Sequence, residues 1–464
     1  MQENKLGSMP LGKLLVTMSF PIMITMCMQS MYGVIDSIYI SQIGENALAA
    51  VSLATQVQAL MNSVANGLAM AISTIISKNL GEKDERGIKS TIAHGFFLAG
   101  VCMVVFFILG VFATESFYAL QVDVGSEMYN YCVDYQSITF VCSIGMFGQA
   151  IVARLMQSTG KASLSLVTQI IGLIFNLILD PLLIHGYWIF PKLEVQGAAI
   201  ATVLGQLFAF GIGLFINNRF NKEVKIDLKG FKLSMPLVKK ICGLAIPTSL
   251  NLSTTTITGI LMSNFVLSFG TSALAVFGSY NKLQSFVFMP VNAIKSALIP
   301  IIAYSYGAQN KKRLTTSFYY ALIGSAAFLT LSTLIFQLFP VQLLGIYETT
   351  DAMIAIGVPM IKKISLFYLF ACFSSVFNSL SQGLVKSQYS LYITMVKQFA
   401  IIPLAYLFST YGDIDIFWYC YVISEAITMC SALGFFRHLY KTKIKYIGKS
   451  KEEATDEKTE KVTA

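Results

Sequence analysis

Two aspartates stand inside long apolar stretches of the sequence, where an ionised side chain is costly. Asp36 lies toward the end of the first stretch and Asp180 toward the end of the fifth. A carboxylate in hydrocarbon costs at least about 2.5–3.5 kcal/mol on insertion scales, so it is a functional candidate by default. Asn176 precedes Asp180 by four residues and shares its face of a helix. Oxygen groups of this kind suit a proton or a small hard cation.

Two further side chains lie at a depth from which they can complete the same cluster. Tyr32 precedes Asp36 by one turn, and Thr202 occupies the sixth stretch at a similar depth. Pro181 lacks an N–H and leaves the carbonyl of the fourth residue before it without its usual helical partner. The alternative is structural, because an intramembrane Asp can also cap a helix end or hydrogen-bond a neighbouring backbone.

Pro21 interrupts the hydrogen-bond ladder of the first stretch, which carries Asp36. A proline inside a helix kinks it at the carbonyl that loses its partner, here that of Thr17. Such a kink is either a hinge or a static bend, and the sequence favours neither.

These residues are expected to lie on helices that are embedded in a lipid bilayer. The chain has 464 residues, of which 55% are apolar and 12% charged, with a mean hydropathy of +0.65. Soluble globular chains carry roughly 25% charged residues. Stretches of about 20 apolar residues cross a bilayer. Twelve such spans are predicted, at residues 14–40, 46–77, 91–113, 129–156, 164–187, 197–218, 241–268, 274–304, 316–339, 352–384, 388–410 and 416–437.

The net charge of +9 reflects topology and does not indicate a nucleic-acid partner. Lys and Arg concentrate at the termini and in alternate loops, whereas the intervening loops are acidic. This bias is the positive-inside rule, and it predicts that both termini are cytoplasmic.

The two halves of the sequence repeat each other. A shift of 226 residues places Pro21 on Pro247, and a shift of 225 places Gln157 on Gln382. A period this long indicates a duplicated domain of six helices. Six is even, so the two lobes are expected to be related by a pseudo-two-fold axis along the membrane normal. The predicted organisation is an N-terminal lobe at 1–218, a cytoplasmic linker at 219–240, a C-terminal lobe at 241–440 and a disordered tail at 441–464.

The halves differ at the acidic positions. The shift places Met262 on Asp36, and it places Ile401 and Ala405 on Asn176 and Asp180. Packing alone predicts similar residues at equivalent sites, so this difference favours a function in the N-terminal lobe. The C-terminal lobe instead carries three mid-depth charges on different helices, namely Lys295, Lys397 and Glu425.

Lys397 and Glu425 are candidates for a buried ion pair, because neither charge is tolerable alone. The pair is either structural or part of substrate handling or a conformational latch.

No enzyme motif is recognisable in the sequence. There is no Gly-x-x-x-x-Gly-Lys-Ser/Thr phosphate loop, no His-Glu-x-x-His zinc motif and no nucleophile signature. We therefore expect no cofactor and no enzymatic activity, and a function in moving a molecule across a bilayer.

Several of these features together resemble the multidrug and toxic compound extrusion (MATE) family. They are Pro21 followed by Asp36, Gly44 leading into Ala47-Leu48-Ala49-Ala50, the run Gln157 to Lys161, and Asn176-x-x-x-Asp180-Pro181. The resemblance spans roughly residues 10–440. It implies that Asp36, Asn176, Asp180 and Thr202 bind the coupling H⁺ or Na⁺. Some members carry C-terminal carboxylates, but the corresponding stretches here, 251–255 and 377–379, contain no acid.

The resemblance and the residues together predict a cation-coupled antiporter in a bacterial cytoplasmic membrane that exports amphipathic, often cationic compounds. A monomer is expected, with a small-molecule substrate and no nucleic-acid partner. A flippase for a lipid-linked or polyprenyl-linked substrate is the alternative within transport, since Lys295 and Lys397 suit a more cationic cavity. A receptor or channel is a further alternative, against which the six-plus-six duplication counts.

Overall fold

The computed structural model describes residues 4–227, 231–347 and 350–448, and all regular secondary structure in these residues is helical. The predicted disordered tail therefore lies outside the described residues from 449 onward, as does Lys229 of the predicted linker. The first residues of that tail are ordered, because they form the end of the last α-helix and a 3₁₀ turn at Ile444–Tyr446.

The described residues of the first half fold into nine helices, of which the first and the fifth are short. They are α1 (Lys5–Ser8), α2 (Leu11–Ser41), α3 (Glu45–Glu82), α4 (Glu85–Phe112), α5 (Thr114–Ala119), α6 (Glu127–Val141), α7 (Ile144–Gln157), α8 (Ala162–His185) and α9 (Glu194–Phe220).

The described residues of the second half form nine more helices, of which the fourth and the eighth are short. They are α10 (Met235–Leu267), α11 (Thr271–Gly307), α12 (Lys311–Leu338), α13 (Pro340–Gly345), α14 (Asp351–Ser365), α15 (Phe367–Gly383), α16 (Ser387–Tyr411), α17 (Ile414–Phe417) and α18 (Tyr419–Thr442).

Nine helical segments in the described residues are long and apolar enough to cross a membrane, and two bent helix pairs raise the number to eleven. The predicted span at 241–268 corresponds to α10, which is long enough at 33 residues. Its centre is more polar than the other spans, since residues 251–255 read Asn-Leu-Ser-Thr-Thr.

The spans predicted at 129–156 and 352–384 each consist of two helices that meet at a bend. Helices α6 and α7 meet at 51°, and α14 and α15 meet at 45°. At each break the backbone tightens to an i→i−3 bond, from Ser143 N–H to the Phe140 carbonyl and from Leu366 N–H to the Lys363 carbonyl, both at 3.3 Å. The fourth span of each half is therefore bent near its middle.

Equivalent glycines begin the second long helix of each half. Gly44 precedes α3 with a φ of +156°, and Gly270 precedes α11 with a φ of +115°. Side chains rarely adopt these conformations, so glycine is the residue that allows the sharp turn from one span to the next.

The chain forms two compact units. Among the described residues, the first comprises Thr17–Ile76 and Glu85–Ile257, and the second comprises residues 4–16, Ser77–Asp84 and the chain from Thr258 to residue 448. The predicted linker at 219–240 joins α9 to α10, and Ser234 in it donates its backbone N–H to His94 Nε2 of α4 at 2.8 Å. The lobe boundaries at 218 and 241 stay a prediction.

One side-chain hydrogen bond occurs in both halves at positions related by the repeat. Gln157 Nε2 donates to Ser165 Oγ at 3.2 Å, and Gln382 Nε2 donates to Ser390 Oγ at 3.1 Å. Each bond ties the end of a bent span to the start of the next helix. The structure therefore preserves the duplication at the level of single contacts.

Candidate functional site

Asp180 is the centre of the polar cluster in the first unit. It lies on α8, is fully buried, and accepts two hydrogen bonds. Tyr32 Oη of α2 donates to its Oδ2 at 3.2 Å, and Asn176 Nδ2 donates to its Oδ1 at 3.2 Å. The i, i+4 spacing of Asn176 and Asp180 thus places both side chains on one face, as the sequence predicted.

Asp36 lies on α2, one turn beyond Tyr32, and is partly buried. Its Oδ1 atom is buried and has no hydrogen-bond partner in the described part of the chain. Asp36 and Asp180 are close enough to interact electrostatically, and among the described residues no basic side chain forms an ion pair with either. A buried acceptor without a donor is costly, so it indicates a place for a proton or a cation.

Thr202 and Tyr135 extend the cluster. Thr202, on α9, interacts through its hydroxyl with the hydroxyl groups of both Tyr32 and Tyr135. Tyr135 is buried on α6 and interacts electrostatically with Asp36 and Asp180.

Sequence reasoning missed Tyr135. The comparison of halves contains a signal for it, because shifts of 225 and 226 residues place the apolar Met360 and Ile361 on this position.

Close packing of α8 against α9 holds Asn176 in place. A Cβ atom built on Gly205 would lie 2.7 Å from the Cβ of Asn176, and one on Gly172 would lie 2.5 Å from the Cβ of Ala209. Real Cβ atoms do not approach this closely. The two glycines are therefore what lets α9 bring Thr202 beside Asn176.

Two cavities lie next to this cluster within the first unit. One, of about 150 Å³, is lined by Tyr32, Asn176 and Thr202. The other, of about 220 Å³, extends to Arg154. Both cavities share a set of five polar lining residues, which are Thr25, Gln29, Gln149, Gln169 and Gln206. The same five polar residues therefore line both the larger cavity and the smaller cavity, which three of the candidate cation ligands also line.

The two prolines lie where the sequence predicted. Pro21 is inside α2, which continues past it, and the hydroxyl of Thr25 donates to the carbonyl of Pro21 at 3.0 Å. Pro181 is inside α8, directly after Asp180. Both helices that carry the carboxylates thus contain a weakened hydrogen-bond ladder, and hinge motion at these prolines stays a prediction.

The three charges predicted for the second half come together. Lys397 Nζ of α16 lies 2.6 Å from Glu425 Oε2 of α18, and Ser374 Oγ donates to Glu425 Oε1 at 2.7 Å. Lys295 is close enough to interact electrostatically with both and donates to Asn292 Oδ1 at 3.4 Å.

The carboxylate of Glu425 is only 3% exposed, whereas the side chain of Lys397 is 35% exposed. This geometry is compatible with a structural pair, with a part in substrate handling and with a conformational latch.

The two clusters differ in what they can bind. The first offers two carboxylates, an amide and hydroxyl oxygens without a basic counter-charge among the described residues, which is the ligand chemistry of H⁺ or of a small hard cation. The second neutralises its carboxylate internally. Exchange of a cation is therefore possible at Asp36 and Asp180 without breaking an existing ion pair.

Comparison with known proteins gives a consistent result. The MatE family model matches residues 21–182 and again 247–407, once in each half. Among curated relatives, an FAD transporter of Shewanella oneidensis is 28% identical over 75% of this chain and 76% of its own length. The multidrug export protein MepA of Staphylococcus haemolyticus is 22% identical over 91% of this chain and 92% of its own length.

Solved structures share the fold over nearly the whole chain. An outward-facing multidrug resistance MATE transporter of the MOP superfamily has a TM-score of 0.87 at 21% identity, covering 97% of this chain and 99% of its own. A MOP superfamily transporter from Pyrococcus furiosus, described as having a binding pocket of reverse polarity, has a TM-score of 0.86 with the same identity and coverage.

Proposed function

The chain belongs to the multidrug and toxic compound extrusion (MATE) family, and on this premise we propose that it exports amphipathic compounds in exchange for H⁺ or Na⁺. The observation that carries the proposal is the pair of carboxylates, Asp36 and Asp180, next to two cavities that share five polar lining residues. A binding site for the driving ion beside a binding site for the cargo is what an exchanger requires.

Family membership confirms the resemblance predicted from the motifs around Asp36 and Asp180. The predicted fold class is also confirmed, as an all-helical membrane protein with twelve spans in two six-helix lobes. The protein is thus a multi-pass membrane transporter. Its driving ion, its cargo and the direction of exchange belong to the proposal.

The proposed coupling acts through α2. This helix carries both Asp36 and Tyr32, and the Tyr32 hydroxyl donates to Asp180 of α8. A cation that binds between the carboxylates neutralises them and competes for the oxygen that accepts the Tyr32 bond. The part of α2 beyond Pro21 then changes its position relative to α8.

That movement changes the smaller cavity, because Tyr32 and Asn176 are among its lining residues. The cavity that holds the cargo in one state is then narrowed in the other. A ligand shifts a conformational equilibrium only through different affinities for the two states, and a site whose carboxylates move apart supplies that difference.

The rest of the proposal follows the charge pattern. Both termini lie on the cytoplasmic side of a bacterial cell membrane, because Lys and Arg concentrate there. The coupling ion enters from outside and is the only ion required. The chain works as a monomer without a cofactor.

A second class of cargo, an organic anion of the flavin-nucleotide type, is favoured by one observation. The relative with 28% identity is an FAD transporter, whereas the MepA proteins, which are named for multidrug export, are 21–22% identical. The amide groups of Gln149, Gln169 and Gln206 in the shared lining suit a hydrogen-bonding heterocycle as well as a drug.

The experiment that tests the function is ethidium efflux from proteoliposomes under an imposed pH or Na⁺ gradient. Asp36→Asn and Asp180→Asn are each expected to reduce gradient-driven efflux at least about hundredfold, since the coupling ion loses a carboxylate ligand. Asp123→Asn makes the same chemical change at an exposed loop residue and serves as the control. Wild-type rates in both site variants, with normal insertion, would make the two carboxylates structural.

A further inference from the structure

Arg154 is a charged residue with no assigned role in the proposed exchange. It lies near the end of α7 and lines the larger cavity of about 220 Å³. Every other residue that lines this cavity is neutral, and the polar ones carry amide or hydroxyl groups. The positive charge of the half-buried Arg154 therefore borders a polar cavity of the first unit.

The guanidinium group is incompletely satisfied. An arginine has five N–H donors, and among the described residues Arg154 makes a single hydrogen bond, from Nη1 to Gln157 Oε1 at 3.0 Å. Within the part of the chain that the structure describes, no acidic side chain forms an ion pair with it. A charge among packed helices is costly without a counter-charge. An anion supplied from outside the protein would remove that cost.

A purely structural role for Arg154 explains less. A cation near a helix C-terminus gains from the helix dipole, but that gain is small compared with the cost of an unpaired charge among packed helices. Gln157 holds its own orientation through the bond to Ser165 at 3.2 Å, so its amide oxygen fixes one edge of the guanidinium. The remaining N–H groups keep the fork geometry that matches phosphate and carboxylate oxygens.

We infer that Arg154 binds the anionic group, a phosphate or a carboxylate, of an organic substrate in the larger cavity. The amides of the shared lining hold the hydrogen-bonding part of the same molecule. This inference rests on the proposed function, because it names the substrate class of the same transporter. The inference also gives the two cavities different charges. The cation of Arg154 borders the larger cavity, whereas the carboxylates of Asp36 and Asp180 lie beyond Tyr32 of the smaller cavity.

The residues that line the two cavities define how the substrate is oriented in the site. Gln149, Gln169 and Gln206 border both cavities, whereas Arg154 borders only the larger one and Tyr32 only the smaller one. An anionic group at Arg154 is thereby kept away from Asp180, which would repel it. The rest of the molecule extends along the amides toward the cation site.

The test uses riboflavin and FMN, which differ by one phosphate ester, with binding to the purified protein followed by flavin fluorescence. The wild type is expected to bind FMN about ten- to hundredfold more tightly than riboflavin, since a buried charged hydrogen bond supplies that factor. Arg154→Gln removes this preference and leaves riboflavin binding within about twofold. Arg154→Lys retains a part of it, because the charge remains but the fork is lost.

Lys222→Gln is the matched control, because it removes a positive charge from an exposed residue outside both cavities and should leave FMN binding unchanged. Competition by inorganic phosphate distinguishes the source of the anion. If only riboflavin-containing compounds displace FMN, the result supports an organic substrate. If millimolar phosphate abolishes the preference for FMN over riboflavin, the site binds a free inorganic anion and the inference is overturned.

The inference and the proposed function fail in different ways. Wild-type protein that exports ethidium but binds FMN no more tightly than riboflavin overturns the inference and leaves the function standing. An Arg154→Gln protein that loses riboflavin and FMN equally also overturns it, since the role is then structural. Selective FMN binding in a protein that no gradient drives would retain the anion site and remove the exchange mechanism.

Discussion

Equivalent positions in the two halves of this protein have opposite environments. Where the first half has Asp36 and Asp180 in a polar cluster, the second half has Met262 and Ala405, which are 1% and 0% exposed within an apolar core. That core surrounds Trp418 and includes the stacked rings of Phe277 and Trp418. This difference shows that the duplicated helix arrangement does not itself require acids at these positions. The acids of the first half are additions to a helix arrangement that also packs without them.

The largest expected effect comes from giving the second half an acid of its own. Met262→Asp places a carboxyl group within the apolar core, and it is expected to destabilise the protein by about 4 kcal/mol. Thermal unfolding in detergent, followed by fluorescence-detected size exclusion, measures the change. Met262→Leu is the control and should cost less than about 1.5 kcal/mol. A Met262→Asp protein as stable as the control would mean that the two environments are not distinct.

A smaller loss of stability is expected from breaking the charge pair of the second half. Glu425→Gln leaves Lys397 without its partner, and we expect a cost of about 2 kcal/mol, below the roughly 3–5 kcal/mol of a fully buried pair. The reduction arises because the Lys397 side chain is 35% exposed and keeps some contact with its surroundings outside the core.

The double variant Glu425→Leu with Lys397→Met distinguishes a structural role of this ion pair from a role in transport. Because it removes both charges at once, its stability should return to near that of the wild type. Normal stability combined with normal ethidium efflux assigns the pair a structural role. Normal stability with lost efflux assigns it to the transport cycle as a latch.

The smallest expected effect concerns the packing that positions the polar cluster. Gly205→Ala forces α9 away from Asn176, because the added Cβ would lie 2.7 Å from the Asn176 Cβ. Gradient-driven efflux should fall about tenfold, since small displacements of binding groups reduce rates strongly. Gly211→Ala on the same helix meets no atom of the described residues within 4 Å and should transport normally. Equal efflux by the two variants would show that the close approach of α8 and α9 does not matter for coupling.

The sequence was sufficient to predict the membrane-spanning segments and part of the polar cluster around Asp180. Hydropathy located the spans. The mismatch between halves pointed to Asp36, Asn176 and Asp180, because a carboxyl or amide side chain in an apolar stretch is visible without any structure. Tyr135 and Arg154 were not found. A tyrosine is common in membrane helices, and an arginine near a helix end is also what the positive-inside rule predicts.

The bends in the fourth spans were also beyond the sequence. Neither break contains a proline or glycine at the residues that tighten, which are Ser143 and Leu366. Helices usually kink at such residues. Here the backbone changes to an i→i−3 bond at Ser143 and at Leu366.

The hydrogen bond that recurs in both halves has a consequence for how the chain folds. Gln157 and Ser165 are eight residues apart, as are Gln382 and Ser390, so each bond closes within one helical hairpin. Both partners of each bond belong to the same half, so neither bond needs the other half in order to form as the chain folds.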